Sequence, residues 1–180
     1  VYAPAPVDQN FLVLHLTQLD DANRSFDPSI VTPMQRFDTT IGAIQYARTL
    51  DLFGRYVMLT GILRGGTTER RTLQPRVERI SSSGLADPSL VALINLVGLP
   101  PMSAEEFTRW QPETTVGLLL GLTLHWGEYD RRNAINLGAN RYALRLGLPV
   151  HRPFEGLGGR PATLEFVPSV NFFSENDATG

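Results

Sequence analysis

The chain has 180 residues, a net charge of −2 and 42% hydrophobic residues, and it contains 16 glycines and 13 prolines. This composition fits one turn-rich folded domain and excludes a disordered chain or a compact helical bundle. Every basic residue is arginine and cysteine is absent, which excludes lysine- and cysteine-dependent catalysis, thiolate metal sites and disulfides, and the charge balance predicts no nucleic-acid partner.

Neither a leader nor a membrane-spanning helix is evident. The chain begins Val1-Tyr2-Ala3-Pro4, without a charged or apolar leader, so any secretory signal is expected to be already removed or never present. The best apolar run, from Val116 to Trp126, is interrupted by polar residues and falls short of the roughly 18 to 20 residues of a membrane helix. A barrel strand needs only about 9 to 11 residues, and its signal is alternation.

Four strands are predicted in the first half of the chain, over Phe11–Gln18, Thr39–Thr49, Tyr56–Leu63 and Leu90–Val97. Each is about the right length for a span. The last is apolar on both faces apart from Asn95, which either a packed lumen or a covered sheet would explain.

A short helix is predicted within Pro100–Glu113. Ser103 and Glu106 have the spacing of a capping box, with Ser103 as N-cap and Glu106 returning to its backbone N–H. We expect about two helical turns on the side of the short connections, which is the periplasmic side of a barrel.

The clearest strand is predicted from Thr115 to Trp126. Its even positions are Val, Leu or Trp, and its odd positions are mostly small or polar. Alternation alone leaves open whether the apolar face points outward to lipid or inward to a soluble core. Trp126, followed at once by a polar stretch, favours exit from a membrane through an aromatic girdle.

Two further strands are predicted over Arg141–His151 and Thr163–Phe173. As neighbours they could bring Arg145 or Arg141 near Glu165 as a cross-strand charge pair. Pro168 lacks an N–H and predicts a bulge or a local break in pairing. A solvated outer face of a soluble sheet would explain the same polar positions.

The connections alternate between short and long. Turns near 50–55 and 152–160 are short, whereas Asp20–Asp38, Arg64–Asp87 and Gly127–Asn140 are longer and polar. This pattern predicts an all-β, antiparallel up-and-down transmembrane β-barrel of about seven strands, formed by one domain over residues 1–180, with one short periplasmic helix.

Candidate functional residues are binding groups, with no catalytic or metal set among them. The three histidines lie on separate predicted strands and lack metal-ligand spacing, and no cofactor is predicted. The predicted lumen-lining residues are Thr115, Thr123, His125, Arg141, Arg145, His151, Glu165 and Asn171. A basic patch is predicted in the loop after Arg64, where it could contact lipopolysaccharide phosphates, steer anionic solutes, or simply be solvated; its residues are Arg64, Arg70, Arg71, Arg76 and Arg79.

Seven short strings occur in an order that resembles the outer-membrane family named for the meta-cleavage pathway of phenol degradation. The strings are Pro6–Phe11, Phe26–Ser29, Asp51–Arg55, Ser83–Pro88, Asn95–Pro100, Gly127–Asp130 and Asn136–Arg141. The resemblance implies an outer-membrane barrel of Gram-negative bacteria with a transport role linked to aromatic-compound catabolism, and it brings no catalytic residues. The chain departs from the family in reading Ser89–Ala92 where arginine is usual, and members continue with further strands.

Seven strands cannot close a membrane barrel without leaving sheet edges, because unpaired backbone groups in lipid each cost several kcal/mol. We therefore expect the chain to be the N-terminal part of a longer barrel, or copies to assemble through their edges. The leading hypothesis is an outer-membrane channel for passive uptake of small solutes, aromatic or hydrophobic ones among them, with lipid and lipopolysaccharide as surroundings. A structural or adhesive protein that displays its loops, and a soluble lipocalin-like carrier, remain alternatives.

Overall fold

The computed structural model describes residues 4–22, 35–72, 79–133 and 135–176, which form one antiparallel sheet with a short helix. The helix is α1 (Ala104–Arg109), and a 3-10 turn covers Leu157–Gly159. The strands are β1 (Asn10–Ala22), β2 (Gln35–Leu52), β3 (Arg55–Thr72), β4 (Arg79–Leu85), β5 (Ser89–Val97), β6 (Thr115–Thr123), β7 (Ala143–Gly147), β8 (Val150–Glu155), β9 (Pro161–Phe166) and β10 (Ser169–Phe173).

The ten strand segments form seven continuous lines, which confirms the predicted number of strands. β4 and β5 both pair with β3, β7 and β8 both pair with β6, and β9 and β10 continue one another beside β8 and β7. Each line runs antiparallel to the next in chain order, so the all-β, up-and-down arrangement predicted from alternation is confirmed.

Two of the interruptions coincide with prolines. Pro149 separates β7 from β8, and Pro168 separates β9 from β10 on the facing line. The pairing register is the same on both sides of these breaks, so no residue is inserted, and the Leu148 N–H donates to the Pro168 carbonyl at 3.0 Å. The break in pairing predicted at Pro168 is thus confirmed, because proline has no N–H for the ladder.

The third interruption is a bulge at Ala86–Pro88. On β3, Ile62 and Gly65 enclose two residues, whereas their partners Ser89 and Leu85 enclose three. One extra residue therefore sits in the β4–β5 line, and a bulge of this kind bends the strand and re-aims its side chains.

The β3–β4 hairpin is longer than expected, and the predicted loop from Arg64 to Asp87 is wrong. Arg64, Arg70 and Arg71 lie in β3 and Arg79 in β4, whereas Arg76 lies outside the described residues. The segments pair regularly, Arg71 opposite Arg79 and Thr68 opposite Ser82. Polar composition suggested a loop, but strand pairing uses backbone groups, and threonine and serine are accepted in a ladder when tertiary context supplies a partner strand.

The predicted helix is confirmed with its cap. The Ser103 hydroxyl accepts from the Glu106 N–H at 3.3 Å, and the Glu106 carboxylate accepts from the Ser103 N–H at 2.8 Å. The connection that carries the helix packs beneath the sheet, where the buried side chains of Tyr56, Leu99 and Met102 form an apolar cluster.

The N-terminal segment lies against this cluster. The Val7 N–H donates to the Met102 carbonyl at 2.8 Å, the Asp8 N–H donates to the Thr49 carbonyl at 2.9 Å, and the Thr49 hydroxyl donates to the Pro6 carbonyl at 2.7 Å. Residues 4–9 and the helical connection therefore pack together at the end of the sheet that carries the short connections.

The helix cap should respond to acid. Hydrogen bonds from the Ser103 backbone and side chain lower the pKa of Glu106, so the cap is fully present above about pH 4.3, the ordinary value for glutamate, and is lost as the pH falls through the lowered pKa. We expect amide exchange in α1 to accelerate, relative to the intrinsic rate, only under those acidic conditions. Glu106→Gln keeps an acceptor without the titration, so its exchange should lack this step.

Both outer lines of the sheet have a free side. In the described part of the chain, β1 pairs only with β2, and the β9–β10 line pairs only with β7 and β8. The described strands thus form an open, curled half-barrel.

Candidate functional site

The convex face of the sheet carries exposed rows of large apolar side chains. On β1, Leu12, Leu14 and Leu16 are 68%, 71% and 76% exposed. Near the other end of the strand order, on the same face, Leu144 of β7 is 42% exposed and pairs with Leu122 and Phe172, which are exposed as well. Large apolar patches of this extent on a folded protein mark contact with an apolar surrounding.

The opposite, concave face carries small and polar side chains that the curl of the sheet shields from solvent. Buried polar residues on this face are Thr39, Thr49, Thr60, Thr68, Ser82, Ser89, Asn95 and Thr115. This is the reverse of a soluble β-sandwich, in which apolar rows meet in a dry centre. The orientation that alternation left open is therefore leucine outward.

The eight predicted lumen-lining residues follow the parity of the concave face. Thr115 and Thr123 lie in β6, Arg145 in β7, His151 in β8, Glu165 in β9 and Asn171 in β10, while His125 and Arg141 lie just outside strand ends. Register brings Thr115, His151 and Glu165 into one row and places Arg145 opposite Asn171. That they line a permeation path stays a prediction.

The predicted charge pair between Arg145 or Arg141 and Glu165 is wrong. Glu165 is the register partner of His151, and the partner of Arg145, Asn171, is six residues further along that line, about 20 Å at the rise of a strand. The Arg141 guanidinium instead lies 4.4 Å from the centre of the Phe173 ring. The register depends on where the hairpin turn falls, which spacing alone did not determine.

An apolar layer lies in the middle of the concave face, which fits the packed lumen that was one of the two explanations for the strand Leu90–Val97. Val91, Leu93 and Leu119 share this face, and Leu119 is almost wholly buried. A glycine on the neighbouring strand makes room for Leu93, since a Cβ on Gly117 would meet the Leu93 side chain at 3.1 Å, closer than an ordinary van der Waals contact. Glycine at alternate positions of the polar parity was the available sequence signal.

Hydroxyl groups link the strands on the concave face. The Arg64 guanidinium donates to the Ser89 hydroxyl at 3.2 Å, and the hydroxyls of Ser89 and Thr123 lie 3.1 Å apart. Thr39 and Thr68 form a similar buried pair at 2.8 Å. These bonds hold polar side chains along the face and fix the position of the Arg64 guanidinium.

The end of the sheet with the long connections is organised by Asp87, in the bulge. This buried carboxylate accepts from the Gly127 N–H at 2.8 Å and from the Ala139 N–H at 2.6 Å. A Cβ on Gly127 would come within 2.6 Å of the Asp87 backbone, and one on Gly138 within 2.8 Å of Gly127. Only glycine permits this approach, so the segment after β6 is closely fixed to the bulge.

The last described residues join the same assembly. The Asn140 amide donates to the Asn176 side-chain carbonyl at 3.0 Å, and the Asn176 amide donates to the Ala139 carbonyl at 3.1 Å. Within the loop, hydrogen bonds from Arg132 lower the pKa of Asp130. The loop predicted over Gly127–Asn140 is thus confirmed as a connection. Its hydrogen bonds with Asp87 and Asn176 hold it against the strand ends.

Within the ranges that the structure describes, no helix is both long and apolar enough to cross a bilayer. The same ranges contain no group of three or more His, Asp or Glu side chains arranged to hold a metal ion.

Comparison with known proteins identifies the family. The model of the family described as "Putative MetA-pathway of phenol degradation" matches residues 19–180. The chain belongs to this family. No curated protein matches the chain by sequence. Membership confirms the resemblance that the seven strings indicated.

A solved structure shares the fold. The COG4313 outer membrane channel from Pseudomonas putida F1 superposes with a TM-score of 0.71 at 20% identity, over 98% of this chain and 60% of that one. The chain thus spans about 60% of the length of that channel. The likeness confirms the all-β architecture of a partial barrel.

Proposed function

We propose that the protein is a passive channel of the bacterial outer membrane, in which the concave face of the sheet lines the path of small solutes. The observation that supports this proposal is the orientation of the two faces, with exposed leucine rows outside and shielded threonine, serine, asparagine and arginine inside. A barrel in lipid requires this arrangement, because its outer surface contacts hydrocarbon and not water. The fold shared with a protein described as an outer membrane channel supports the proposal.

Barrel closure is part of the proposal. Among the described strands, β1 and the β9–β10 line each have one side without a partner strand, and lipid would not satisfy the backbone groups there. Further strands of a longer chain, or edges of other copies, would pair with them. Lipid and lipopolysaccharide would then surround the convex face, and we assign the protein no enzymatic activity.

Solute flux tests the proposal. We expect the purified protein to require detergent, to show heat-modifiable mobility on gels, and to make liposomes permeable to small solutes. Liposomes prepared without protein, and with heat-unfolded protein, are the controls. Extraction into buffer without detergent, or liposomes that stay impermeable to every small solute tested, would overturn it.

Loop display without transport is a second candidate function, favoured by the close fixation of the 127–139 segment onto Asp87. The connection between β3 and β4 offers a place to test it. Replacing residues 73–78 by a short glycine-containing turn leaves both strands intact, and should abolish adhesion but not flux if display is the function. A soluble carrier is not favoured, since its apolar rows would face inward.

A further inference from the structure

A cleft on the concave face of the first three strands has no assigned role. His15, Ala43 and Arg64 are register partners across β1, β2 and β3. Because Ala43 is small, the two larger side chains stand on either side of an open floor. The cleft has a volume of about 250 Å³, and Thr17, Gln45, Ile41 and Ile62 complete its lining.

Among the described residues, no carboxylate forms an ion pair with Arg64, which brings a positive charge to this cleft. It is half-buried, and its hydrogen-bond partner in the described part of the chain is the neutral Ser89 hydroxyl, at 3.2 Å. A guanidinium has five N–H donors in a planar fork that suits a carboxylate. Asp87, on the neighbouring strand line, is engaged by the backbone of Gly127 and Ala139.

The rest of the cleft suits an apolar body. Ile41 and Ile62 line it beside Arg64, and Thr17 and Gln45 supply polar groups at its margins. Its volume exceeds the roughly 150 Å³ of an apolar cavity that binds benzene. Size and lining therefore fit a single ring or a short chain with one charged end.

Other charges on the concave face favour anions there. The described carboxylates on this face lie toward its ends: Asp51, Glu155 and Glu165 beside the short connections, and Glu128 over Gly84 beside the long ones. Two more cations share this face: Arg70 on β3, and Arg145 on β7, where it lies over Gly121. Cations in a shielded concave surface concentrate anionic solutes.

We propose that this cleft binds small organic anions, with the carboxylate on Arg64 and the apolar body on Ile41 and Ile62. The inference rests on the proposed function and adds to it a solute class and a residue that selects it. His15, across Ala43, contributes a second N–H donor to the carboxylate end.

Benzoate is a suitable probe, and chloride conductance of the protein in planar bilayers is the readout. We expect benzoate to reduce the conductance in a saturable way, whereas benzyl alcohol, of similar shape but neutral, should not. Arg64→Gln should raise the half-blocking benzoate concentration about tenfold, the equivalent of about 1.4 kcal/mol. Arg64→Lys keeps the charge without the fork and should fall between the two.

Two further variants keep the test decisive. Arg48→Gln removes an exposed arginine from the opposite face of β2 and should leave the block unchanged. Ala43→Leu fills the floor of the cleft, so it should abolish the block while Arg64 remains, even if Arg64→Gln fails to fold. Equal block by benzyl alcohol, or a block insensitive to Arg64 and Ala43, would overturn the inference.

Failure of the two proposals can be told apart. Chloride conductance without an Arg64-dependent block leaves the channel in place and removes the anion site. If the protein conducts nothing, calorimetric titration of benzoate into the detergent-solubilised protein tests the cleft directly. If the titration shows benzoate binding that Arg64→Gln weakens, the anion site stands without a channel. If it shows no benzoate binding, the anion site is overturned.

Discussion

Leu144→Arg should destabilise the protein in lipid by about 2 to 4 kcal/mol, the cost of an arginine facing the middle of a bilayer. Leu144 lies on the convex face of β7 between Leu122 and Phe172, and it is half exposed. In a soluble protein the same substitution at an exposed position would change the free energy of unfolding by about 0.5 kcal/mol or less. Urea unfolding in lipid vesicles measures the difference.

Ala143→Arg is the matched control, because it adds the same charge one residue earlier on the concave face. Ala143 pairs with Thr123 and Phe173, in a row adjacent to that of Arg145. We expect its unfolding free energy to stay much closer to that of the unsubstituted protein. Equal effects of the two substitutions, or a larger effect at Ala143, would contradict the outward orientation of the leucine rows.

Asp87→Ala should cost about 3 to 6 kcal/mol and loosen the connection after β6. The substitution removes a buried acceptor of two backbone N–H groups, and hydrogen bonds to a charged group contribute about 1.5 to 3 kcal/mol each. We expect a lower unfolding midpoint together with faster amide exchange at Gly127 and Ala139.

Two comparisons test the role of Asp87. Asp20→Ala removes an exposed carboxylate at the end of β1 and should have little effect. Gly127→Ala keeps the carboxylate but places a methyl group against the bulge, so it should reproduce the faster exchange. Unchanged exchange in Asp87→Ala would show that the loop is held by other contacts.

Much of the architecture could be predicted from local pattern. Alternation from Thr115 to Trp126 indicated β6 because strand side chains repeat every two residues. Ser103 and Glu106 indicated α1 because a capping box is satisfied within four residues. Pro168 indicated a break because it lacks an N–H wherever it occurs. Each of these signals is complete within a few positions of the chain.

Other features required partners that lie far apart in sequence. The polar stretch after Arg64 was mistaken for a loop because nothing local shows that β4 will pair with it. The Glu165 partner was missed because register follows from the position of the turn and of the proline breaks. The role of Asp87 was not predicted, since its two donors follow 40 and 52 residues later.

The sequence by itself determined seven amphipathic strand lines, their antiparallel order and the capped helix, because periodicity, turn chemistry and capping act over short distances. Only the tertiary structure decided which way the leucine rows face, since the same alternation suits either face until the sheet curls. It also decided which residues meet across strands, Arg64 over Ala43 and Asp87 with Gly127, because those meetings depend on register and on one inserted residue.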